Sequence, residues 1–146
     1  MKTLISFLIL FFHLNIFAAG TSYDTVDASK DYQTAENLIN DKDFKGAIKV
    51  LKSLIGEDPN GYTKADLYNY LGFASRKQSK PDYELAEKYY LKALEINNNH
   101  VGALEYLGEL YFETDRRDEA LALLNRIKMI AGDNSNEYKD LNSLLN

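Results

Sequence analysis

The sequence predicts an all-α protein built from repeated pairs of helices. Apolar residues recur at spacings of three and four, which is the period of an amphipathic helix. The segment 68–72 reappears 36 residues later as 104–108, with tyrosine, leucine and glycine at matching places. Short polar breaks separate the apolar segments. Because one helical pair cannot bury its apolar face alone, such units are expected to stack side by side.

Composition limits the classes of function. The chain has 146 residues, of which 45% are hydrophobic, and this is enough for the core of one domain. Its 17 basic and 22 acidic residues give a net charge of -5, which argues against nucleic-acid binding because phosphates require a basic surface. The absence of cysteine excludes disulfides, thiolate metal sites and thiol nucleophiles.

The first twenty residues predict a signal peptide. Lys2 precedes an apolar run over residues 3–19, which ends in the small residues 18–20. The alternative is an uncleaved membrane anchor, but the run is shorter than the roughly 20 apolar residues of a spanning helix and contains His13 and Asn15. We therefore predict a cleaved signal over 1–20, a flexible leader over 21–27, and export.

The predicted destination is a bacterial periplasm, because extracellular animal domains commonly carry disulfides and this chain has no cysteine. Secretion and anchoring in an inner membrane are the alternatives. A membrane is expected as a partner only if the N-terminal segment is retained.

Three repeat units follow the leader. The second helix of each unit begins with a small residue followed by large apolar residues at helical spacing: Ala47, Leu51 and Leu54, then Ala86, Tyr90 and Ala93, then Ala120, Leu124 and Ile127. We predict units at 28–61, 65–100 and 101–134. The first helix, over residues 29–40, has the weakest pattern because Thr34-Ala35 stands where later units have Leu-Gly.

Helix starts and close contacts can also be predicted. Asp43, Asp82 and Asp115 stand in polar breaks, where their carboxylates can cap the amides of a first helical turn. Gly72 and Gly108 lie inside predicted helices, where glycine costs about 1 kcal/mol relative to alanine. We expect the two helices of a hairpin to approach closely at these glycines.

The last residues predict a terminal helix. Tyr138, Leu141, Leu144 and Leu145 fall on one face, and polar residues fall on the other. A stack of repeats needs an element that covers its last apolar face. We predict a capping helix over residues 135–146.

The repeat pattern resembles the tetratricopeptide repeat family. The segment 86–97 is very similar to the second helix of that family's unit, and Pro59 stands where the family closes a unit. The resemblance implies a right-handed superhelix of three helical hairpins plus the capping helix. It also implies a protein or peptide partner, bound in a concave groove that the first helix of each unit lines.

The resemblance assigns thirteen residues to this groove. They are Tyr32, Glu36, Asp66, Asn69, Tyr70, Phe73, Arg76, Lys77, Glu105, Tyr106, Glu109, Phe112 and Glu113. We expect the tyrosines to contact the partner, because aromatic anchors dominate binding surfaces. The two phenylalanines either contact it or pack between units. Arg76 and Lys77 on one side, and the three glutamates at 105, 109 and 113 on the other, are expected to orient it.

Family members that bind chaperone tails hold a terminal carboxylate with lysine, asparagine and arginine. The matching positions here carry Tyr32, Glu36, Tyr70, Gly102 and Tyr106. Those cations are missing, so binding of chaperone tails is not expected.

No catalytic motif, cofactor or metal site is predicted. His100 stands alone between repeats and is expected to be a solvated turn residue. The glutamates at 105, 109 and 113 are expected to form a solvated acidic stripe. We predict a non-enzymatic adaptor or scaffold in the periplasm; the alternative is a structural spacer that self-associates as a homo-oligomer or is tethered to a membrane.

Overall fold

The computed structural model describes residues 27–146, which form seven helices and no strand within that range. The helices are α1 (Ala28–Asn40), α2 (Phe44–Ser53), α3 (Lys64–Lys77), α4 (Tyr83–Ile96), α5 (Val101–Glu113), α6 (Arg117–Ala131) and α7 (Asn136–Leu145). None of the seven is both long enough and apolar enough to cross a bilayer. The predicted signal peptide, and the predicted leader except Asp27, lie outside the described residues.

The helices pack as three hairpins and a cap. Helices α1 and α2, α3 and α4, and α5 and α6 pair with each other. Contacts between α2 and α3 and between α4 and α5 join the hairpins, while α7 packs against both α5 and α6. The predicted all-α stack of three hairpins with a capping helix is confirmed.

Two of the three predicted aspartate caps are present. Asp43 accepts a hydrogen bond from the Gly46 amide at 2.9 Å, and Asp82 accepts one from the Leu85 amide at 3.0 Å. The predicted cap at Asp115 is wrong. Asp115 instead adopts a left-handed turn with φ of 60°, as Lys42 does before α2 with φ of 62°.

The residue at the start of α6 is Arg116, which makes no capping hydrogen bond with its side chain. It lies four residues before Ala120, as Asp43 lies four before Ala47, so it holds the cap position of the third unit. At the end of the predicted leader, Asp27 is the N-cap of α1 and accepts from the Lys30 amide at 3.3 Å.

Both helical glycines lie at close contacts. A Cβ at Gly72 would lie 2.6 Å from Cε1 of Tyr90 in the partner helix α4, as the hairpin prediction requires. A Cβ at Gly108 would lie 2.5 Å from Cδ2 of Leu141. That neighbour belongs to the capping helix and not to the hairpin partner, because α7 packs directly on α5.

The apolar face of the capping helix is narrower than predicted. Leu141 and Leu145 are fully buried, but Leu144 is 42% exposed. With about 100° of rotation per residue, Tyr138, Leu141 and Leu145 fall within an arc of roughly 60°, and Leu144 points roughly 60° outside that arc. Packing against α5 and α6 covers only this arc.

Candidate functional site

A cavity of about 330 Å³ opens on the face formed by the first helices of the three units. Helices α1, α3 and α5, the start of α7 and the loop before α3 supply its lining. The second helices α2, α4 and α6 supply none of it. The lining residues are Tyr32, Glu36, Gly61, Tyr62, Asp66, Asn69, Tyr70, Gly102, Glu105, Tyr106 and Glu137.

Stacked tyrosines form one part of the cavity wall. The ring of Tyr32 is nearly parallel to that of Tyr62, with centroids 4.4 Å apart, and lies 5.7 Å from that of Tyr70. Burial raises the pKa of Tyr32 and of Tyr70, and raises the pKa of Tyr106 to about 12. All three hydroxyls are therefore neutral near pH 7 and can donate hydrogen bonds.

Four of the lining residues are acidic and none is basic. Glu36 comes from α1, Asp66 from α3, Glu105 from α5 and Glu137 from α7. The carboxylates thus reach the cavity from four different helices. This arrangement gathers acidic groups in a concave space whose walls exclude part of the solvent, which strengthens the field of those that are ionised.

Asp66 is held in place by its neighbours. It forms a capping box with Thr63, accepting from the Thr63 amide at 2.9 Å and from its hydroxyl at 2.6 Å. Burial opposes ionisation of Asp66, but these hydrogen bonds and that from His100 outweigh it and lower the pKa of the carboxyl. Asp66 therefore carries its negative charge near pH 7.

His100 is not the solvated turn residue that the sequence suggested. It is the N-cap of α5, and Nδ1 of its ring accepts from the Ala103 amide at 3.1 Å. The other nitrogen, Nε2, therefore carries the proton and donates to Asp66 at 3.0 Å. Only 13% of the side chain is exposed, because the ring bridges the second and third units.

Glu105 is a buried carboxyl to which the described residues supply no partner. The residue is 7% exposed and makes no hydrogen bond or ion pair with any residue between 27 and 146. Burial, followed by the nearby charges of Glu109, Asp140 and Glu137, raises the pKa of Glu105 to about 8, although Arg76 opposes this shift. The prediction of a solvated acidic stripe is wrong here because α7 packs across α5 and covers this position.

Asn69 and Tyr70 complete the polar lining from α3. Asn69 is 6% exposed, and its Oδ1 accepts no hydrogen bond from the described residues. The hydroxyl of Tyr70 donates to Glu36 at 3.3 Å and so joins the first unit to the second. Oδ1 of Asn69 is closed to solvent, so the acceptor that the cavity presents and the described residues leave unused is the carboxyl of Glu105.

The other predicted groove residues lie outside the cavity lining: Phe73, Arg76, Lys77, Glu109, Phe112 and Glu113. The four charged residues among them, at positions 76, 77, 109 and 113, form what we call the ion-pair cluster. Arg76 donates to Glu109 and, at 2.8 Å, to Glu113, while the Nζ of Lys77 lies 3.8 and 3.9 Å from the same two carboxylates.

The ion-pair cluster joins the second unit to the third. The side chain of Arg76 has no exposed surface, so it cannot orient a partner as the sequence suggested. It is buried because both carboxylates that neutralise it lie on the facing helix α5. Lys77 retains 37% exposure of its side chain and is the more accessible cation of this cluster.

The two phenylalanines differ from each other. Phe73 is half-buried, with its ring centroid 4.9 Å from that of Tyr106 and 6.1 Å from that of Phe44, so it packs between units. Phe112 is 36% exposed on α5. Of the two, only Phe112 presents a substantially exposed ring.

The sequence did not assign Gly61, Tyr62, Gly102 and Glu137 to the site, although all four line the cavity. Gly102 matches one of the positions at which chaperone-binding members of the family hold their ligand, so the repeat alignment could have indicated it. Tyr62 lies in the loop before α3 and Glu137 in the capping helix. Neither has an equivalent in the other units, so the repeat pattern could not indicate them.

Solved structures show the same fold. The crystal structure of MamA matches with a TM-score of 0.67 and 19% identity, covering 81% of this chain and 66% of that chain. The crystal structure of PcrH in complex with the chaperone binding region of PopB matches with a TM-score of 0.69 and 18% identity, covering 86% of this chain and 98% of that chain.

Sequence relatives cover part of the chain. It is 34% identical over 82 residues to the uncharacterized protein ycf37 of Porphyra purpurea, which is 56% of this chain and 46% of that protein. It is 29% identical over 86 residues to tetratricopeptide repeat protein 37 of Xenopus laevis, which is 59% of this chain and 5% of that protein. The chain thus spans less than half the length of either of these curated relatives.

Two models of the tetratricopeptide repeat match the chain, one over residues 80–145 and the other over residues 31–61. Together they cover about two thirds of it, and their matches fall on the first and third hairpins, on α4 and on the capping helix. The chain belongs to the tetratricopeptide repeat family and has the fold of a protein-interaction module.

Proposed function

We propose that this protein is a non-enzymatic adaptor that binds a peptide or protein segment along the face formed by α1, α3 and α5. The observation that carries the proposal is the cavity, which takes lining residues from all three units and from the capping helix. A segment lying there would contact every unit at once. The same face bears the partly exposed aromatic rings that anchor binding partners, Tyr70 and Tyr106.

The chemistry of the cavity favours binding over catalysis. A carboxyl with the raised pKa of Glu105 can serve as a general acid, so its neighbours decide between the two roles. The other polar groups that line the cavity are carboxylates, tyrosine hydroxyls and one amide. A reaction would need a nucleophile or a metal set against this acid, and the lining provides acceptors for a ligand instead.

A similar fold with a bound segment supports this mode of action. PcrH has been crystallised with the chaperone binding region of PopB, so a stack of this kind is able to hold a region of another protein. At 18% identity that likeness extends to the fold and not to the ligand. The partner of the present chain is therefore to be sought by its chemistry.

The proposed location is the bacterial periplasm, reached through the signal peptide at residues 1–20. The support is the apolar run with its small-residue exit and the absence of cysteine. Intact-mass measurement of the protein from the native host is expected to show a mature chain that begins after Gly20. A retained N-terminus would instead favour the membrane-tethered spacer.

A block placed in the cavity tests the adaptor role. Gly102 lines the cavity, and a Cβ there would make ordinary van der Waals contacts with Nδ2 of Asn69 at 3.4 Å and with Cε1 of His100 at 3.6 Å. Gly102→Leu should therefore fill the cavity without disturbing the stack. Cross-linked purification from the native envelope is expected to recover a partner with the wild type and to lose it with this variant.

The matched control is Lys88→Leu, which adds the same side chain to the exposed surface of the second helix α4. It should recover the partner as the wild type does. Thermal melting confirms that both variants are folded. Equal recovery by Gly102→Leu and by the wild type would show that this face is not the binding surface.

Self-association is the second candidate function. Met129, Ile130 and Leu144 near the C-terminal end are 79%, 38% and 42% exposed, and a second copy could cover them. Light scattering across a concentration series separates the two functions. A stable oligomer that Met129→Ser dissociates would favour the structural spacer, whereas a monomer at all concentrations would favour the adaptor.

A further inference from the structure

We propose that the cavity takes a cationic side chain, arginine or lysine, from the segment that the adaptor binds. This inference rests on the proposed function, because it assumes that a segment lies along α1, α3 and α5. It adds the chemistry by which that segment is recognised. The cavity would hold the positive group among carboxylates that come from all three units and the capping helix.

The charge of the lining is the first observation. Among the described residues, four carboxyl groups and no basic side chain line the cavity, while a few residues further along the same helices each glutamate of the ion-pair cluster faces Arg76 and Lys77. The glutamates of the ion-pair cluster are therefore neutralised by cations from α3, whereas the acids of the cavity have no cation beside them. A positive group from outside would complete the pattern.

The second observation is the presence of buried groups without partners. Glu105 and Asn69 are each more than nine-tenths buried and line the cavity, yet Glu105 accepts no hydrogen bond from residues 27–146 and neither does Oδ1 of Asn69. Buried polar groups in proteins are nearly always hydrogen-bonded. The carboxyl of Glu105 lines the cavity and can accept a hydrogen bond in either protonation state, so a positive group that donates would pair with it in its ionised form. Guanidinium and ammonium groups are positive and only donate.

The shape of the cavity favours a side chain over a metal ion. Within the described residues, no three acidic or histidine side chains converge closely enough to hold a metal. The carboxylates are spread over four helices, which suits the several donors of an extended cation. The volume of about 330 Å³ lies at the lower end of the range of small-molecule pockets, about 300–1,000 Å³. Tyrosine rings in the wall can add cation–π contacts.

Small probes test the inference directly. Backbone amide NMR spectra of the protein are recorded during titration with N-acetyl-arginine amide and, separately, with N-acetyl-citrulline amide, which has nearly the same shape but no charge. We expect the arginine probe to shift the amides of Asn69, Tyr70, Glu105 and Tyr106, and to bind at least about tenfold more tightly than the citrulline probe. Added salt should weaken the binding.

A second pair of probes extends the test to lysine. N-acetyl-lysine amide is compared with N-acetyl-norleucine amide, which keeps the apolar chain and lacks the ammonium group. If either cation binds at the cavity and its neutral counterpart does not, the inference holds and the stronger of the two names the preferred residue. Equal binding of charged and neutral probes, or shifts outside the cavity, would overturn it.

Isosteric variants identify the acids responsible. Glu105→Gln keeps the shape of the side chain and prevents the ionisation that a bound cation would favour, so affinity for the cationic probe should fall about tenfold. Glu84→Gln on the exposed surface of α4 is the matched control and should leave the affinity unchanged. If Glu105→Gln does not fold, Glu36→Gln provides the same test from α1. Unchanged affinity in a folded cavity variant would contradict the inference.

The two proposals can fail separately. If Gly102→Leu loses the partner but a Glu36→Gln/Glu105→Gln double variant keeps it, the adaptor role stands and the cationic recognition is wrong. If the cationic probes bind the cavity but Gly102→Leu keeps the partner, the cavity selects cations and the groove is not the adaptor surface.

Discussion

The acidic cavity and the ion-pair cluster lie side by side on the same helices but use their glutamates in opposite ways. Glu105 and Glu109 are one turn apart on α5. Glu109 pairs with the buried Arg76 of α3, whereas Glu105 is buried without a cation. The comparison shows that a residue's role is set by what the facing helix supplies, since the residue type and the helix face are the same.

The energetic consequences also differ. In the cluster, the desolvation cost of Arg76 is offset by two carboxylates within the protein, so the contact fixes the second unit against the third. In the cavity, the corresponding cost at Glu105 is not offset, and its pKa rises until the group is largely protonated at neutral pH. One region contributes to stability, and the other retains unused interactions for a ligand.

Breaking the cluster should have the largest effect. Arg76→Met keeps much of the buried volume but leaves Glu109 and Glu113 with only the more distant Lys77 ammonium, 3.8 and 3.9 Å away, to neutralise them. We expect the free energy of unfolding to fall by about 3–5 kcal/mol, the range for removing one partner of a buried pair. Urea denaturation followed by circular dichroism measures the change.

Lys77→Met is the control for this loss. Its Nζ lies near the limit of an ion pair and its side chain is 37% exposed, so the unfolding free energy should change by less than about 1 kcal/mol. If both variants lose the same stability, the burial of Arg76 is not what holds the cluster together.

Replacing the cavity acid Glu105 by a neutral residue should raise the free energy of unfolding, by an amount that depends on pH. The pKa of Glu105 is raised from 4.5 to about 8 in the folded protein, so the folded state keeps a proton that the unfolded state loses. The free energy of unfolding should therefore fall as pH rises from about 4.5 to about 8. The contribution of this one group to the slope is at most about 1.4 kcal/mol per pH unit.

Glu105→Gln removes this contribution. The charged groups around the position, Glu109 on the same helix, Glu137 and Asp140 on α7 and Arg76 on α3, remain in the variant. Its unfolding free energy, compared with that of the wild type, should be similar at pH 4 and higher at pH 9. A difference that does not change with pH would mean that Glu105 ionises normally in the folded protein.

The smallest effect is expected at Tyr70. Tyr70→Phe removes the 3.3 Å hydrogen bond to Glu36 and keeps the ring that stacks near Tyr32. The loss should be about 0.5–1.5 kcal/mol, as for a typical hydrogen bond within a protein. Thermal unfolding measures it, and a loss as large as that of Arg76→Met would mean that the cavity is as tightly fixed as the cluster.

The fold could be predicted from the sequence because repeats report the same packing several times. Ala86 and Ala120 recur with their apolar partners, and both are fully buried. The wrong cap at Asp115 came from choosing the acidic residue in the turn. The repeat spacing itself predicts the cap position at Arg116, but arginine has no acceptor with which to cap the helix, and its side chain makes no capping hydrogen bond.

The site could be predicted only in part. Repeat position indicated the inner face, and seven of the thirteen predicted groove residues line the cavity. Burial of Glu105 and Arg76 could not be read in the same way, because it depends on which side chains face them from α7 and from the neighbouring unit. Helical periodicity places a residue on a face of its own helix and carries no information about the opposite surface.

The most direct test of the contrast between the two regions is the titration of the Glu105 carboxyl. Carbon-detected NMR follows the side-chain carboxyl through the pH range, and Glu105→Gln identifies its signal by loss. A buried carboxyl without a partner is expected to titrate with a pKa of about 8. A pKa near the ordinary value of 4.5 would contradict that expectation, because it would mean that Glu105 is solvated or paired, as the glutamates of the cluster are.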